Sequence, residues 1–204
     1  MNIQLAVLEG INILKARFIQ TAQLDAEILM AKTLGADREY IILNNDKNLG
    51  DKNLKNFQSL IKERADRMPI AYLLNKKYFW NNEFYVNKNT LIPRPDTEVI
   101  VEQVLRFTKN KNKYSILDIG VGSGCVLLSI LNERKNFYGT GIDICKNALN
   151  ICEINAKKLL LERRTKFFKS DVDKFALGKY DLIVSNPPYI KKSDLKYLES
   201  DVLK

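Results

Sequence analysis

The first third of the chain carries apolar residues at the spacing of helix faces. Two such runs are Val7, Ile11, Leu14 and Phe18, and then Leu54, Phe57, Leu60 or Ile61 and Ala65. Between them Thr21 is a plausible N-cap and Gly35 a plausible C-cap of a further helix. The polar stretch 44–56 predicts the longest loop. Residues 1–69 are therefore predicted to form a small helical bundle.

Residues 70–92 have a different pattern. Two aromatic-rich runs, Tyr78-Phe79-Trp80 and Phe84-Tyr85-Val86, flank Asn81-Asn82. Because Asn tolerates the left-handed conformation that a two-residue turn requires, this pattern predicts a β-hairpin that links two domains. Pro93 and Pro95 end it, and a helix is expected over 96–108.

From Tyr114 onward, apolar strand-like runs alternate with helical runs. The strands are expected at 115–119, 138–143, 165–170 and 181–185, with helices after Gly124 and over 147–160. Repeated βα units predict a parallel sheet with helices on both faces, here within residues 93–204. In such sheets ligands bind at the carboxyl ends of the strands.

Composition narrows the class of protein. In 204 residues, 46% are hydrophobic and 28% charged, which is typical of a soluble globular protein. No run of about 18 apolar residues and no signal peptide is evident, so we expect a cytoplasmic protein without membrane association. The net charge of +9 suggests a nucleic-acid or ribosome contact, but lysines spread along the whole chain explain it equally well.

Cysteine and histidine usage limits the chemistry. The three cysteines form no C-x-x-C pair, which argues against a disulfide framework or a zinc site. Because the chain has no histidine, mechanisms that depend on a histidine are excluded. Proton handling is left to carboxylates, tyrosine, lysine, amides or water.

The first candidate site follows the strand 115–119. Three alternating glycines there let the backbone approach a ligand closely. The motif lacks the third glycine of the dinucleotide fingerprint, since Cys125 stands at that position. An acid two residues before G-x-G-x-G is instead the arrangement of S-adenosylmethionine-dependent methyltransferases, and the alternative is a tight turn with an incidental acid. The candidate cofactor-binding residues are Asp118, Gly120, Val121, Gly122, Ser123 and Gly124.

Two further acids stand at the ends of the next strands. Asp143 lies about 20 residues after the glycines, where a carboxylate suits both hydroxyls of a ribose, although it could equally be the N-cap of the following helix. Asp171 could meet an adenine amino group while Val172 contacts the ring. A solvated loop aspartate is the alternative for Asp171.

The last candidate site is Asn186-Pro187-Pro188-Tyr189. The Asn186 side-chain carbonyl and the Pro187 backbone carbonyl are two acceptors suited to holding one NH2 group. Tyr189 can cover a flat amide or base. The alternative is a rigid turn with no ligand.

Together these motifs resemble protein-glutamine methyltransferases of the HemK/PrmC type. The residues that carry the resemblance are Arg67 to Tyr72, Leu91 to Glu98 with its Ile-Pro-Arg-Pro sequence, Asp118 to Gly124, Asp143 and Asn186 to Tyr189. Asn-Pro-Pro-Tyr is shared with enzymes that methylate amino groups of adenine, so the Ile-Pro-Arg-Pro linker is the more discriminating part. Val121 departs from the family, which usually has Thr there.

The resemblance implies an α/β, Rossmann-like S-adenosylmethionine-dependent methyltransferase domain, preceded by the helical bundle and the hairpin. It implies methylation of a glutamine side-chain amide in a peptide-chain release factor, without a metal. The implied roles are cofactor binding for the residues already named and for Asn186, substrate binding for Asn186, Pro187, Pro188 and Tyr189, and catalysis by Asn186, Pro187 and Tyr189.

Two alternatives remain beside this interpretation. The first is methylation of an exocyclic amine of adenine in DNA or RNA. Methyltransferase domains of this kind normally have seven strands, and only about four can be counted in this chain. The sequence therefore predicts an incomplete sheet, in a fragment or a shortened protein. The second alternative is therefore an inactive module that only binds its partner.

Overall fold

The computed structural model describes residues 1–109 and 113–187. They form two compact units, one of residues Met1–Leu74 and one that begins at Asn75. The helices are α1 Ile3–Ala16, α2 Ala22–Leu34, α3 Arg38–Leu43, α4 Asp51–Ala65, α5 Ile70–Leu74, α6 Glu98–Phe107, α7 Cys125–Glu133 and α8 Lys146–Lys158. The strands are β1 Lys77–Phe79, β2 Asn82–Phe84, β3 Ser115–Ile119, β4 Tyr138–Asp143, β5 Thr165–Lys169 and β6 Leu182–Ser185.

The first unit is the predicted helical bundle. Helices α1, α2 and α4 pack against one another, and their apolar faces bury Leu14, Leu29 and Phe57. The left-handed conformation of Gly35 ends α2, as predicted from the sequence. The short helices α3 and α5 were not predicted.

Two details of the sequence prediction for this unit were wrong. Helix α1 ends at Ala16, so Phe18 does not share its buried face and is 82% exposed. Helix α4 begins at Asp51, because Gly50 adopts a φ of 70° at its N-cap, and the polar loop is therefore shorter than 44–56. The predicted N-cap of α2 is confirmed at Thr21, although its side chain makes no capping hydrogen bond.

A buried ion pair joins α2 to α4. The Arg64 Nε donates to Asp25 Oδ2 over 2.7 Å, and both side chains are less than 10% exposed. The Thr21 hydroxyl donates to the same carboxylate oxygen over 2.9 Å. Because the Asp25 carboxylate lies out of water, its hydrogen-bond donors are needed to offset the cost of burying its charge.

The second unit begins with the predicted hairpin, in which β1 pairs antiparallel with β2. The two-residue turn is Trp80-Asn81, with φ of 45° and 60°, so the prediction of Asn81-Asn82 was wrong by one residue. Asn82 instead lies in β2, where its side chain donates to the Trp80 carbonyl and accepts a hydrogen bond from Asn132. These partners give the buried amide a structural role in the strand.

The predicted parallel strands form one sheet in the order β5-β4-β3-β6. Helix α7 packs against β3 and β4, and α8 packs against β4 and β5. The chain therefore adds β4 and β5 on one side of β3 and then returns to place β6 on the other side. The strand order reverses between β3 and β6, where a crevice is expected at their carboxyl ends.

The boundaries of these elements differ slightly from the predicted ones. The differences are of one to three residues and concern β5, β6, α6 and α8. Residues 95–97 form a 3-10 turn, so α6 begins only at Glu98. Within residues 1–109 and 113–187, no helix is long and apolar enough to cross a membrane.

The Asp25–Arg64 pair yields a prediction about stability. Arg64→Met leaves a carboxylate that is 3% exposed without its cationic partner, so we expect the first unit to lose about 3 to 5 kcal/mol of stability. Hydrogen exchange, followed in peptides from α2 and α4, measures this loss locally. The double variant Asp25→Leu/Arg64→Met removes both charges and should recover much of it.

Arg106→Met is the control, measured in peptides from α6, because Arg106 and Glu102 form an ion pair whose side chains are 66% and 45% exposed. We expect this change to cost no more than about 1 kcal/mol. If Arg64→Met cost no more than Arg106→Met, the buried pair would not be a stabilising element of the bundle.

Candidate functional site

A cavity of about 460 Å³ lies at the carboxyl ends of the parallel strands. It brings together residues from all four predicted motifs, which are separated along the chain. The predicted residues that line it are Gly120, Gly122, Asp143, Asp171, Val172, Asn186 and Pro187. A smaller adjoining cavity of about 60 Å³ is lined by Asp118, Val121, Ser123, Arg94, Thr97 and Asn186, among others.

The glycine loop after β3 is held by the end of β4. The backbone N–H groups of Gly120 and Val121 both donate to the Ile142 carbonyl, over 2.9 and 3.0 Å. Both Gly120 and Gly122 have positive φ, and a Cβ built on either would meet no side chain within 4 Å. These glycines therefore leave open space beside the backbone, while the amides of Gly120 and Val121 are already used within the protein.

Gly124 has a different role from the two glycines before it. Its φ is 81°, and a Cβ there would lie 2.6 Å from the Cys152 Sγ of α8 and 2.8 Å from Leu128. This glycine is therefore required by close packing under the loop rather than by the cavity.

Asp143 connects β4 to the glycine loop. Its Oδ2 accepts a hydrogen bond from the Gly122 N–H over 3.0 Å, and its Oδ1 accepts one from the Cys145 N–H over 2.8 Å. The N-cap of α8 is Cys145, so Asp143 does not have the capping role that the sequence left open. Each carboxylate oxygen has a further lone pair available to a hydroxyl donor in the cavity.

Asp118 is buried at the base of the glycine loop and is only 4% exposed. Burial raises the pKa of its carboxyl to about 7, a hydrogen bond from the Leu127 backbone opposes the rise, and the nearby Asp143 carboxylate adds to it. The carboxyl group therefore titrates near neutral pH, far from the usual range of an aspartate.

The thiols of Cys125 and Cys152 lie beside the glycine loop and have raised pKa values. Removal from water raises the pKa of Cys125 to about 12, although the residue as a whole is half-buried. Burial also raises the pKa of Cys152 well above its usual range. Because the thiolate is the nucleophilic form, neither side chain is suited to covalent catalysis.

The residues after β5 contribute the wall of the larger cavity. The Asp171 side chain accepts a hydrogen bond from the Asp173 N–H at the start of a 3-10 turn, and Val172 is 49% exposed. Asp171 is thus both a local turn residue and a cavity residue, and its part in adenine binding stays a prediction.

Asn186 follows β6 directly and lines both cavities. Its side-chain Nδ2 donates to the Thr97 Oγ1 over 3.2 Å. The preceding residue, Ser185, donates its hydroxyl to the Ile119 carbonyl over 2.8 Å, which fixes the end of β6 against the end of β3. Pro188 and Tyr189 lie outside the described residues.

Sequence reasoning did not select two residues that support the site. Thr97 was recognised only as a member of the Leu91 to Glu98 motif. Asn155 of α8 is fully buried, and its amide accepts from the Tyr85 N–H and donates to the Tyr85 and Ser123 carbonyls. The available signal for Asn155 was its polar side chain within the helical run 147–160. Its hydrogen bonds tie the glycine loop to the end of the hairpin.

The described residues contain no group of three or more acidic or cysteine side chains placed to hold a metal ion. The larger cavity is lined by two carboxylates, and no lysine or arginine among the described residues lines it. Its walls otherwise combine backbone polar groups with apolar side chains such as Ile142, Ile144 and Ala148.

Two family models match the chain. The model of the PrmC N-terminal domain matches residues 6–74. The model of the methyltransferase small domain matches residues 97–200.

Several curated relatives that are named release factor glutamine methyltransferase match most of the chain. One from Buchnera aphidicola subsp. Baizongia pistaciae is 39% identical over 88% of this chain and 65% of its own length. One from Buchnera aphidicola subsp. Acyrthosiphon pisum is 37% identical over 99% of this chain and 72% of its own length. One from Clostridium botulinum is 38% identical over 97% of this chain and 71% of its own length. The chain thus spans 65% to 72% of the lengths of these relatives.

Among solved structures, a SAM-dependent methyltransferase from Geobacter sulfurreducens in complex with S-adenosyl-L-homocysteine is 20% identical. The match covers 43% of this chain and 35% of that one, with a TM-score of 0.38. A score this low carries no inference about this chain.

Asp118 yields a prediction about pH. The pKa of the Asp118 carboxyl is about 7 in the folded protein and 3.8 ordinarily, so the folded protein binds this proton more tightly than the unfolded chain. The stabilisation that results from protonation is complete below about pH 4 and is lost as the pH rises towards 7. Asp118→Asn resembles the protonated acid at every pH. We expect the variant to be no more stable than the wild type at pH 4, and more stable at pH 8 by up to about 4 kcal/mol, since one pKa unit corresponds to about 1.4 kcal/mol.

Unfolding followed by fluorescence of Trp80 tests this, because Trp80 is the single tryptophan of the chain and lies in the same unit as Asp118. Glu153→Gln, which changes an exposed carboxylate on α8, is the control and should show no such dependence. A stability difference between Asp118→Asn and wild type that stays constant from pH 4 to 8 would contradict the raised pKa.

Proposed function

Because the chain belongs to the family of release factor glutamine methyltransferases, we propose that it transfers a methyl group to a glutamine side-chain amide of a peptide-chain release factor. The methyl donor of this class of enzyme is S-adenosylmethionine. The observation that carries the proposal is the position of Asn186, whose carboxamide lies at the switch point of the sheet and lines the cavity that contains the cofactor motifs.

The larger cavity fits S-adenosylmethionine. Its volume of about 460 Å³ lies in the usual range of small-molecule sites. Two carboxylates and no described cation line it, which suits a positively charged ligand with hydroxyl donors and does not suit a phosphate. The exposed side of Val172 and the neighbouring isoleucines give apolar surface for a purine ring.

The residues of the glycine loop and of β4 would hold this ligand. Gly120 and Gly122 leave space for it beside the backbone, and the free lone pairs of Asp143 would accept the ribose hydroxyls. When bound, S-adenosylmethionine supplies a methyl group made electrophilic by its sulfonium. In the transfer the amide nitrogen would take the methyl group and release one proton to solvent, and the leaving group would be S-adenosylhomocysteine. The residues of the site would orient the amide for this attack.

Asn186 and Pro187 would hold the substrate amide. Among residues 1–109 and 113–187, no donor is hydrogen-bonded to the Asn186 Oδ1, so this oxygen is available to one amide hydrogen of the glutamine. The Pro187 backbone carbonyl would accept the other. Both acceptors are neutral and become stronger partners as positive charge builds on the nitrogen, so they favour the transition state over the bound substrate.

The proposed activity is tested by incubating the chain with radiolabelled S-adenosylmethionine and, in parallel, a release factor, DNA and RNA. Label on a glutamine of the release factor, located by mass spectrometry, is the expected result. Label on DNA or RNA alone would instead favour methylation of adenine. Binding of a release factor without any transfer would identify the chain as a binding module.

Asp143 yields a prediction about cofactor affinity. We expect Asp143→Ala to weaken binding of S-adenosylmethionine by about tenfold to a hundredfold, since a charge-assisted hydrogen bond contributes about 1.5 to 3 kcal/mol. The change also removes the acceptor of the Gly122 N–H, which acts in the same direction. Isothermal titration calorimetry measures the affinity.

Glu153→Ala is the control for Asp143→Ala, because it removes a carboxylate from the exposed side of α8 and should leave the affinity unchanged. A folded Asp143→Ala variant with the affinity of the wild type would mean that Asp143 serves the loop and not the ligand.

Asn186 yields a prediction about turnover. We expect Asn186→Ala to lower the single-turnover rate of methyl transfer by roughly two to three orders of magnitude, as for the loss of one preorganised polar partner. Cofactor affinity should fall much less. Asn186→Asp keeps an acceptor but adds a negative charge near the sulfonium, which stabilises the ground state more than the transition state and should also slow transfer.

A folded Asn186→Ala variant that transfers the methyl group at nearly the normal rate would show that this residue is only part of a turn. Cofactor affinity measured on the same preparation separates this outcome from a general loss of structure.

A further inference from the structure

The side-chain contact of Asn186 with Thr97 has a consequence for the reaction. We propose that Thr97 is a positioning residue for methyl transfer, whose hydroxyl fixes the orientation of the Asn186 carboxamide. The inference rests on the proposed function and adds to it a residue that does not itself touch the substrate. Its basis is the 3.2 Å hydrogen bond from Asn186 Nδ2 to Thr97 Oγ1, between residues 89 positions apart in the sequence.

A carboxamide has one donor end and one acceptor end of nearly the same shape. Half a turn about its last torsion would place the NH2 group where the substrate amide needs an acceptor. The Thr97 hydroxyl can accept from Nδ2 or donate to Oδ1, so it does not by itself select one end of the amide, but every orientation between these two states breaks the bond. The contact therefore restrains the last torsion of Asn186 and holds the plane of its carboxamide in the observed arrangement, in which Nδ2 is bonded to Thr97 and Oδ1 is left for the cavity.

Thr97 stands on a rigid base. It is the last residue of the 3-10 turn Pro95–Thr97, and its backbone N–H donates to the Arg94 carbonyl over 3.0 Å. The next residue, Glu98, accepts a hydrogen bond from the Trp80 N–H over 2.9 Å, which connects the turn to the hairpin. The hydroxyl is consequently presented at a fixed point rather than on a free loop.

The backbone of Asn186 is also restrained, so its side-chain torsions are the main freedom left to it. Ser185 is hydrogen-bonded to the end of β3, and Pro187 limits the backbone conformation of the residue before it. The backbone of Asn186 is thus restrained by its neighbours, its Nδ2 is bonded to Thr97, and its Oδ1 is left without a hydrogen-bond donor among the described residues.

Thr97→Val tests the proposal, because valine keeps nearly the same shape and removes the hydroxyl. We expect the rate of single-turnover transfer to fall about tenfold, less than for Asn186→Ala, with the affinity for S-adenosylmethionine changed by less than about twofold. Thr97→Ser keeps the hydroxyl and should restore most of the rate. Thr108→Val is the matched control, since the Thr108 hydroxyl donates to the Val104 carbonyl at the other end of α6 and does not contact Asn186.

A second measurement does not depend on activity. In protein labelled with 15N-asparagine, the Asn186 side-chain NH2 signals are identified by their loss in Asn186→Ala. We expect these signals to shift and their hydrogens to exchange faster in Thr97→Val, and to stay in place in Thr97→Ser and Thr108→Val. Unmoved Asn186 signals in Thr97→Val, or a wild-type transfer rate in that variant, would overturn the proposal.

The two measurements also separate this proposal from the proposed function. If the wild-type chain methylated no release factor while the Asn186 signals still responded to Thr97→Val, the proposed activity would fail and the positioning contact would stand as a structural fact. If the wild-type chain were active and only Asn186→Ala slowed it, the role of Thr97 alone would be refuted.

Discussion

The pairing of β3 with strands on both sides is the constraint on which the site depends. Its residues pair in parallel with β4 on one side and with β6 on the other, so the ends of all three strands lie at one edge of the sheet. The chain leaves β3 in one direction and returns to it from the other, and this reversal separates the following loops enough to form a cavity. The glycine loop, Asp143 and Asn186 are neighbours only because of this strand order.

Hydrogen bonds made by side chains convert that arrangement into a site of defined shape. Asp143 holds the glycine loop from the end of β4, and Asn155 holds it from α8 while also bonding the end of the hairpin. The Ser185 hydroxyl holds the end of β6 against β3, and the Thr97 hydroxyl holds the side chain of Asn186. The bonds of Asp143, Asn155 and Asn186 are buried or half-buried, so each would be costly to break without a replacement, whereas the Ser185 bond is exposed to water.

The charge of the site contrasts with the charge of the whole chain. The protein has a net charge of +9, yet the larger cavity is lined by carboxylates and by no described lysine or arginine. The raised pKa of Asp118 follows from burial in the same region. A cationic cofactor fits this local environment, and the overall positive charge does not decide what the cavity binds.

Local patterns in the sequence were enough to predict most of the elements and to select most of the candidate residues. Helical spacing, glycine spacing and the consecutive prolines depend on near neighbours along the chain, so the bundle, the hairpin, the βα units and the acids at strand ends could be read from them. Only the tertiary structure decided what depends on distant residues. In the structure Asn82 lies in a strand and is bonded to Asn132, so the hairpin turn is shifted by one residue. The N–H groups of Gly120 and Val121 are bonded to the Ile142 carbonyl, and Asn186 is bonded to Thr97. These outcomes depend on which groups meet when the sheet closes, and no short stretch of sequence contains both partners.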